Sequence, residues 1–208
     1  MEKEIRSYKV ELKNETKAGA PVMEGRAAVF NSLSGVMKTK KGVEFQERLL
    51  PGAFRNVVTG DCMALINHNP DKVLGRKNSG TLRMIESEYG LDFEIDPPDT
   101  TYARDLRVSM DRKDIDKCSF GFNVAECGDS WARDERGMIV RSINTIGKLH
   151  DVSIVTYPAY DDTSVATRSV DSFVATEEEQ RAAAEAAKVP EYNPSSNMKL
   201  RMELESSL

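Results

Sequence analysis

Apolar and polar residues alternate with period two over much of residues 5–165. Tyr8, Val10 and Leu12 are interleaved with Lys9, Glu11 and Lys13, and Leu91, Phe93 and Ile95 with Asp92, Glu94 and Asp96. Successive side chains on a strand point to opposite faces, so this pattern describes half-buried strands with one wet face. Further short candidates are "RAAVFNS", "GVEFQE", "CMALINH", "TLRMIES", "CSFGFNV", "MIVRSIN" and "HDVSIVTY". Many short strands joined by turns predict a barrel or sandwich rather than a parallel α/β sheet.

Two helices are expected among the strands, making the fold mixed with a β core. "PGAFRNVVTG" offers Pro51 in a first turn, Phe54, Val57 and Val58 on one face, and Gly60 as a stop. "DTTYARDLRVSMDRKDI" offers Thr100 or Thr101 as a cap, with Tyr102, Leu106 and Met110 at intervals of four. Composition then shifts after Ser169. "TEEEQRAAAEAAK" predicts a solvated helix in which Thr176 and Glu179 form a capping box. Beyond Pro190 and Pro194, "NMKLRMELESSL" is expected to form one more short helix. The chain thus reads as a domain over 1–168 and a polar, helical or disordered tail over 169–208.

The formal charge of −5 comes from 34 acidic and 29 basic residues, well mixed along most of the chain. A nucleic-acid binder usually concentrates a basic face, so none is expected as a partner. No apolar run reaches membrane-spanning length, and "MEKEIRSYKV" lacks a signal-peptide apolar core. A cytoplasmic protein without membrane contact is expected. Cys62, Cys118 and Cys127 form no close pair, and only His68 and His150 supply imidazoles. Zinc sites need clustered ligands, so neither a metal nor another cofactor is expected, and the thiols read as small packed residues.

Candidate chemistry gathers in three stretches. In "CMALINHNPDK", a strand would put Cys62, Ala64, Ile66 and His68 on one face, with His68 at the rim before a turn at "NPDK". In "KCSFGFNV", Cys118, Phe120, Phe122 and Val124 face one way and Ser119, Gly121 and Asn123 the other. The glycine beside the serine would let a substrate backbone approach. In "KLHDVSIV", Asp151 shares a face with Leu149, Ser153 and Val155, and His150 with Val152 and Ile154. Neighbours on a regular strand cannot both point at one site. Serine needs a base to be nucleophilic, and an acid can orient that base. These patterns alone leave each of the three residues with an ordinary structural alternative.

The ordered set "GRAAVFN", "LLPGAF", "LINHNPDKVLGR", "SGTLRM", "GLDFEID", "ARDL", "CSFGF" and "HDVSIVTYPAY" resembles the prohead protease family of tailed bacteriophages over roughly residues 5 to 168. The resemblance implies an α+β fold of the herpesvirus assemblin type, an antiparallel β-barrel flanked by a few helices. It implies a serine endopeptidase acting in the host cytoplasm, inside the procapsid. Its substrates would be scaffolding protein or the scaffold-like extension of the major capsid protein, and itself, with the tail a place to look for autocleavage. By motif position, His68, Ser119 and Asp151 would be catalytic. Assemblins use a second histidine as third member, which keeps His150 in view. Backbone amides near Gly121 are candidates for an oxyanion hole, and Arg76 and Arg104 sit in family-like motifs. Association into a homodimer or higher oligomer is a further expectation. The competing readings are a non-enzymatic capsid-assembly or scaffold-binding protein of the same fold, and a hydrolase using Cys118.

Overall fold

The computed structural model describes residues 3–9, 12–17, 19–157 and 164–187. Among these, thirteen strands form three open sheets. The first has the order β1 (Glu4–Lys9), β10 (Lys117–Val124), β13 (Ile146–Val155), β6 (Met63–Ile66), β7 (Asn69–Arg76). The second runs β11 (Asp129–Arg133), β12 (Ile139–Ile143), β5 (Glu44–Leu49), β4 (Met37–Lys38). The third runs β2 (Lys13–Lys17), β3 (Ala20–Val29), β9 (Gly90–Ile95), β8 (Leu82–Glu86). The α+β class holds, but the sheets do not close into the barrel that the family resemblance implied. Nor are they purely antiparallel, because β13 pairs with β6, and β12 with β5, in parallel.

Contacts divide the chain into units of residues 1–170 and 171–208. The core of the first unit is built on aromatic residues that β10 points inward. Phe120 stacks on Phe122 at 4.8 Å between ring centroids and meets Phe54 edge-on at 5.5 Å. Such contacts add about 0.5–1.5 kcal/mol each beyond area burial. Helix α1 (Thr101–Asp111) turns Ala103, Leu106 and Met110 into this core. The Tyr102 hydroxyl donates to the Val73 carbonyl at 2.8 Å. Thr100 stands at the N-cap in extended conformation, yet its hydroxyl makes no capping bond.

Residues 51–59 are a run of turns, not the expected helix. Their backbone bonds are mostly between residues three apart, and Gly52 has a φ of 93°, outside the right-handed helical region. The Glu86 carboxylate accepts from the amides of Gly52 and Phe54 at 2.9 and 2.8 Å, satisfying donors that a helix start would leave free. Phe54 still reaches the core.

Helix α2 (Ser164–Ala187) begins well before the predicted capping box. Within the first unit, its residues Ala166 and Val170 are buried. Thr176 lies inside it and donates its hydroxyl back to the Ser172 carbonyl. The helix expected over "NMKLRMELESSL", like Val10 of the first alternation, falls outside the described residues.

Strand β1 inverts the usual polarity, because its buried positions are Glu4 and Arg6. They join Glu47 and Arg141 in an ion-pair network linking the first and second sheets, and Arg141 also pairs with Asp129. Burial pushes the Glu47 carboxyl up, but the guanidinium groups of Arg6 and Arg141 outweigh it and hold it below the ordinary range. Removing one member of such a network strands buried charge. Glu47→Leu is expected to lower the unfolding free energy by about 3–5 kcal/mol, measured by urea denaturation.

Candidate active site

Strands β10 and β13 pair with Ser119 opposite Ser153 and Gly121 opposite Asp151. The pairing then slips, and Phe122 lies opposite Leu149. His150 is the extra residue of this β-bulge. The bulge resets parity along β13, so Leu149, Val152 and Ile154 belong to the core while Asp151 and Ser153 line the other face with Ser119. The uniform alternation expected from the sequence, which put Leu149 beside Asp151, is corrected by this one inserted position. Side chains of neighbouring residues can therefore approach the same region. His150 Nε2 contacts Asn123 Oδ1, and Asp151 turns to His68.

His68 is not on a strand. Ile66 pairs with Asn69, leaving Asn67 and His68 as a two-residue hairpin turn, with φ of 51° and 55°. The sequence "NPDK", expected to be the turn, instead opens β7. Two-residue hairpins with positive φ match the twist of their strands and favour Asn. A left-handed histidine costs about 1–2 kcal/mol, so other contacts must hold it. Asn67 supplies them: its side-chain Oδ1 accepts from the Thr156 backbone amide at 2.9 Å, and its own backbone N–H donates to the Ile154 carbonyl at 3.0 Å. Pro70 is accommodated because β7 is an edge strand.

The hairpin brings His68 between two partners. Its Nδ1 is 2.6 Å from Asp151 Oδ1, and its Nε2 is 2.8 Å from Ser119 Oγ. An ionised carboxylate only accepts, so Nδ1 carries the proton and Nε2 of the neutral ring is free to accept from the hydroxyl. Arg6 O competes for that hydrogen, lying 2.9 Å from Ser119 Oγ. Ser119 is fully buried and the His68 side chain 17% exposed. A peptide carbonyl therefore reaches the serine only after neighbouring groups shift.

Asp151 is nearly as enclosed. Ser153 Oγ donates to its Oδ1 at 2.7 Å, and Lys3 Nζ to its Oδ2 at 2.6 Å. Burial pushes its carboxyl up, but the bonds from His68 and Lys3 outweigh this and hold it at about 2. A carboxyl depressed in the folded state adds stability above its unfolded pKa of about 4. That stability disappears as the pH falls toward about 2. Unfolding free energy, measured by urea titration from pH 5 downward, should therefore fall below pH 4. Asp151→Asn should flatten that part of the curve.

A model of the caudovirus prohead serine protease family matches residues 7–177 of the 208. The chain belongs to that family. Neither a curated protein nor a solved structure matches it. Membership of the prohead protease family gives the chain a serine-protease role in capsid maturation. The matched span includes His68, Ser119 and Asp151 but leaves out Lys3 and Arg6.

Other groups weighed from the sequence lie differently. Cys118 is buried on the aromatic face of β10, and burial pushes its thiol far above the ordinary range, which leaves little thiolate for attack. Burial, then the charges of Lys148 and Lys3, lowers the pKa of His150. Arg76 pairs with Asp61 and Arg104 with Asp99, all at exposed positions. The space above Gly121, expected to admit a substrate, is taken by the side chains of Lys3 and Asp151. Because β10 is paired on both sides, by β1 and β13, its amides are also poorly placed as free oxyanion donors.

A groove of about 720 Å³ on the third sheet, lined by Lys13, Lys17, Arg26, Arg83, Asp92 and Glu94 among others, includes none of His68, Ser119 or Asp151. No helix among the described residues is long and apolar enough to cross a membrane. Among the same residues, no group of His, Cys, Asp and Glu is arranged to hold a metal.

The sequence reading missed three polar partners. Ser153 had a signal, since it shares the Asp151 face two residues on. Asn67 had a weaker one, as a residue tolerant of positive φ just before the histidine. Lys3 had none, because it lies 148 residues from its carboxylate partner.

Proposed function

We propose that the chain is a serine endopeptidase of prohead maturation in which Ser119 is the nucleophile, His68 its general base and Asp151 the group that orients His68. The observation that carries this reading is the single imidazole bridging Ser119 Oγ at 2.8 Å and Asp151 Oδ1 at 2.6 Å. Ser119 Oγ attacks the scissile carbonyl carbon as its proton passes to His68 Nε2, and Asp151 stabilises the resulting imidazolium. The carbon–nitrogen bond breaks as His68 returns the proton to the leaving amine. Water then hydrolyses the acyl-enzyme with His68 again as base. General-base help of this kind contributes about 10²–10⁴-fold.

The substrates proposed are scaffolding protein or the scaffold-like extension of the major capsid protein, met inside the procapsid. The chain itself is a further substrate, with the polar segment after residue 168 removed from a protease domain over 1–168. The test is the mass of the capsid subunit, and of the protease, after co-expression with wild-type or Ser119→Ala protein. Shortened products with wild type alone support the reading, and the same products with Ser119→Ala overturn it.

A further inference from the structure

The chain enters the first sheet beside the carboxylate of Asp151. Lys3, the residue before β1, gives its ammonium to Asp151 Oδ2 at 2.6 Å, while His68 and Ser153 share Oδ1. A carboxylate held at both oxygens cannot rotate without losing a bond, so the Lys3 contact fixes the direction in which Oδ1 points. Asp151 is 2% exposed and Lys3 38%, so the cation reaches a buried anion from the protein edge.

Two features make this a built contact. First, a Cβ on Gly121 would collide with the Lys3 Cε and lie 2.6 Å from Asp151 Oδ2. Gly121 is not among the residues with positive φ, so what its missing side chain provides here is room for this ion pair, not backbone freedom. Second, the strand that delivers Lys3 is anchored. Glu4 and Arg6 are held in the buried ion network, and β1 pairs with β10 from Glu4 opposite Phe122 to Lys9 opposite Lys117.

We infer that Lys3 is a positioning residue that holds Asp151 aimed at His68, an inference that rests on the catalytic reading above. Its ammonium also offsets part of the negative field that Asp151 exerts on the imidazole. Without it, the imidazolium forms more readily, and the acidic limb of the rate profile moves to higher pH. Among the described residues, the other titratable or charged groups around the carboxylate are His68 itself, the buried Cys62 thiol and, on β13, His150 with Lys148 beside it. Both lysine substitutions leave these in place.

The experiment follows cleavage of the capsid subunit by purified full-length wild type, Lys3→Met, Lys3→Arg and Ser119→Ala across pH, with thermal unfolding of each protein. Lys3→Met is expected to lower kcat by up to about a hundredfold, the order of loss when a catalytic group is misplaced, with little change in KM and its acidic limb displaced upward. Lys3→Arg should restore most of the rate and the original limb. Wild-type kcat and an unmoved limb in Lys3→Met, with Ser119→Ala silent, would overturn the role of Lys3 alone. Equal losses in both lysine variants, with lower Tm and no movement of the limb, would overturn it as well by making the contact merely structural. Cleavage by Ser119→Ala would instead remove the catalytic reading.

Discussion

Ser119→Ala is expected to abolish measurable cleavage of the capsid subunit, a loss on the order of a million-fold where a serine nucleophile acts with its base as one unit. The reason is chemical: alanine has no oxygen to attack the carbonyl, and His68 Nε2 then has no hydroxyl proton to accept. Folding should suffer little. Among the described residues, Ser119 Oγ hydrogen-bonds to the Arg6 carbonyl and to His68, and removing the hydroxyl leaves acceptors rather than a stranded charge. Equal Tm with activity lost separates a chemical role from a structural one. Residual cleavage within a hundredfold of wild type would be incompatible with Ser119 as nucleophile.

The second large effect concerns the choice between adjacent residues on β13. Asp151→Asn is expected to reduce kcat about 10⁴-fold, while His150→Ala stays within about tenfold of wild type. An asparagine amide can present a donor to Nδ1, which favours the tautomer carrying its proton on Nε2. That ring cannot take the Ser119 proton. It also leaves the Lys3 ammonium without its ionic partner. His150 bonds Asn123 instead of the other imidazole, so its loss removes a neighbour of the site. A larger effect from His150→Ala than from Asp151→Asn, with both proteins folded, would reverse the assignment.

The faces of β10 were legible in the sequence because period-two alternation maps directly onto the two sides of a strand. Cys118, Phe120 and Phe122 go to the core, and Ser119 and Gly121 oppose them. The motif order that resembled phage prohead proteases was legible too, and the family match covers most of the same span. Alternation failed where the backbone departs from regularity. The bulge at His150 changes parity within three residues, and the hairpin turn at Asn67 and His68 replaces the strand expected through them. It also failed at β1, whose inward positions are charged, because the sequence pattern does not say that Glu47 and Arg141 wait on the other sheet.

By itself, then, the sequence determined the β-rich character of the chain, the polarity of its regular strands and the motifs of its family. Tertiary structure decided which side chains meet. His68 lies 51 residues from Ser119 and 83 from Asp151, and Lys3 lies 148 from Asp151. A repeat of two looks the same in any two registers that differ by two residues, so it encodes a face but not a partner. Partners are chosen only when bulges, turns and buried charges are satisfied together in the packed chain.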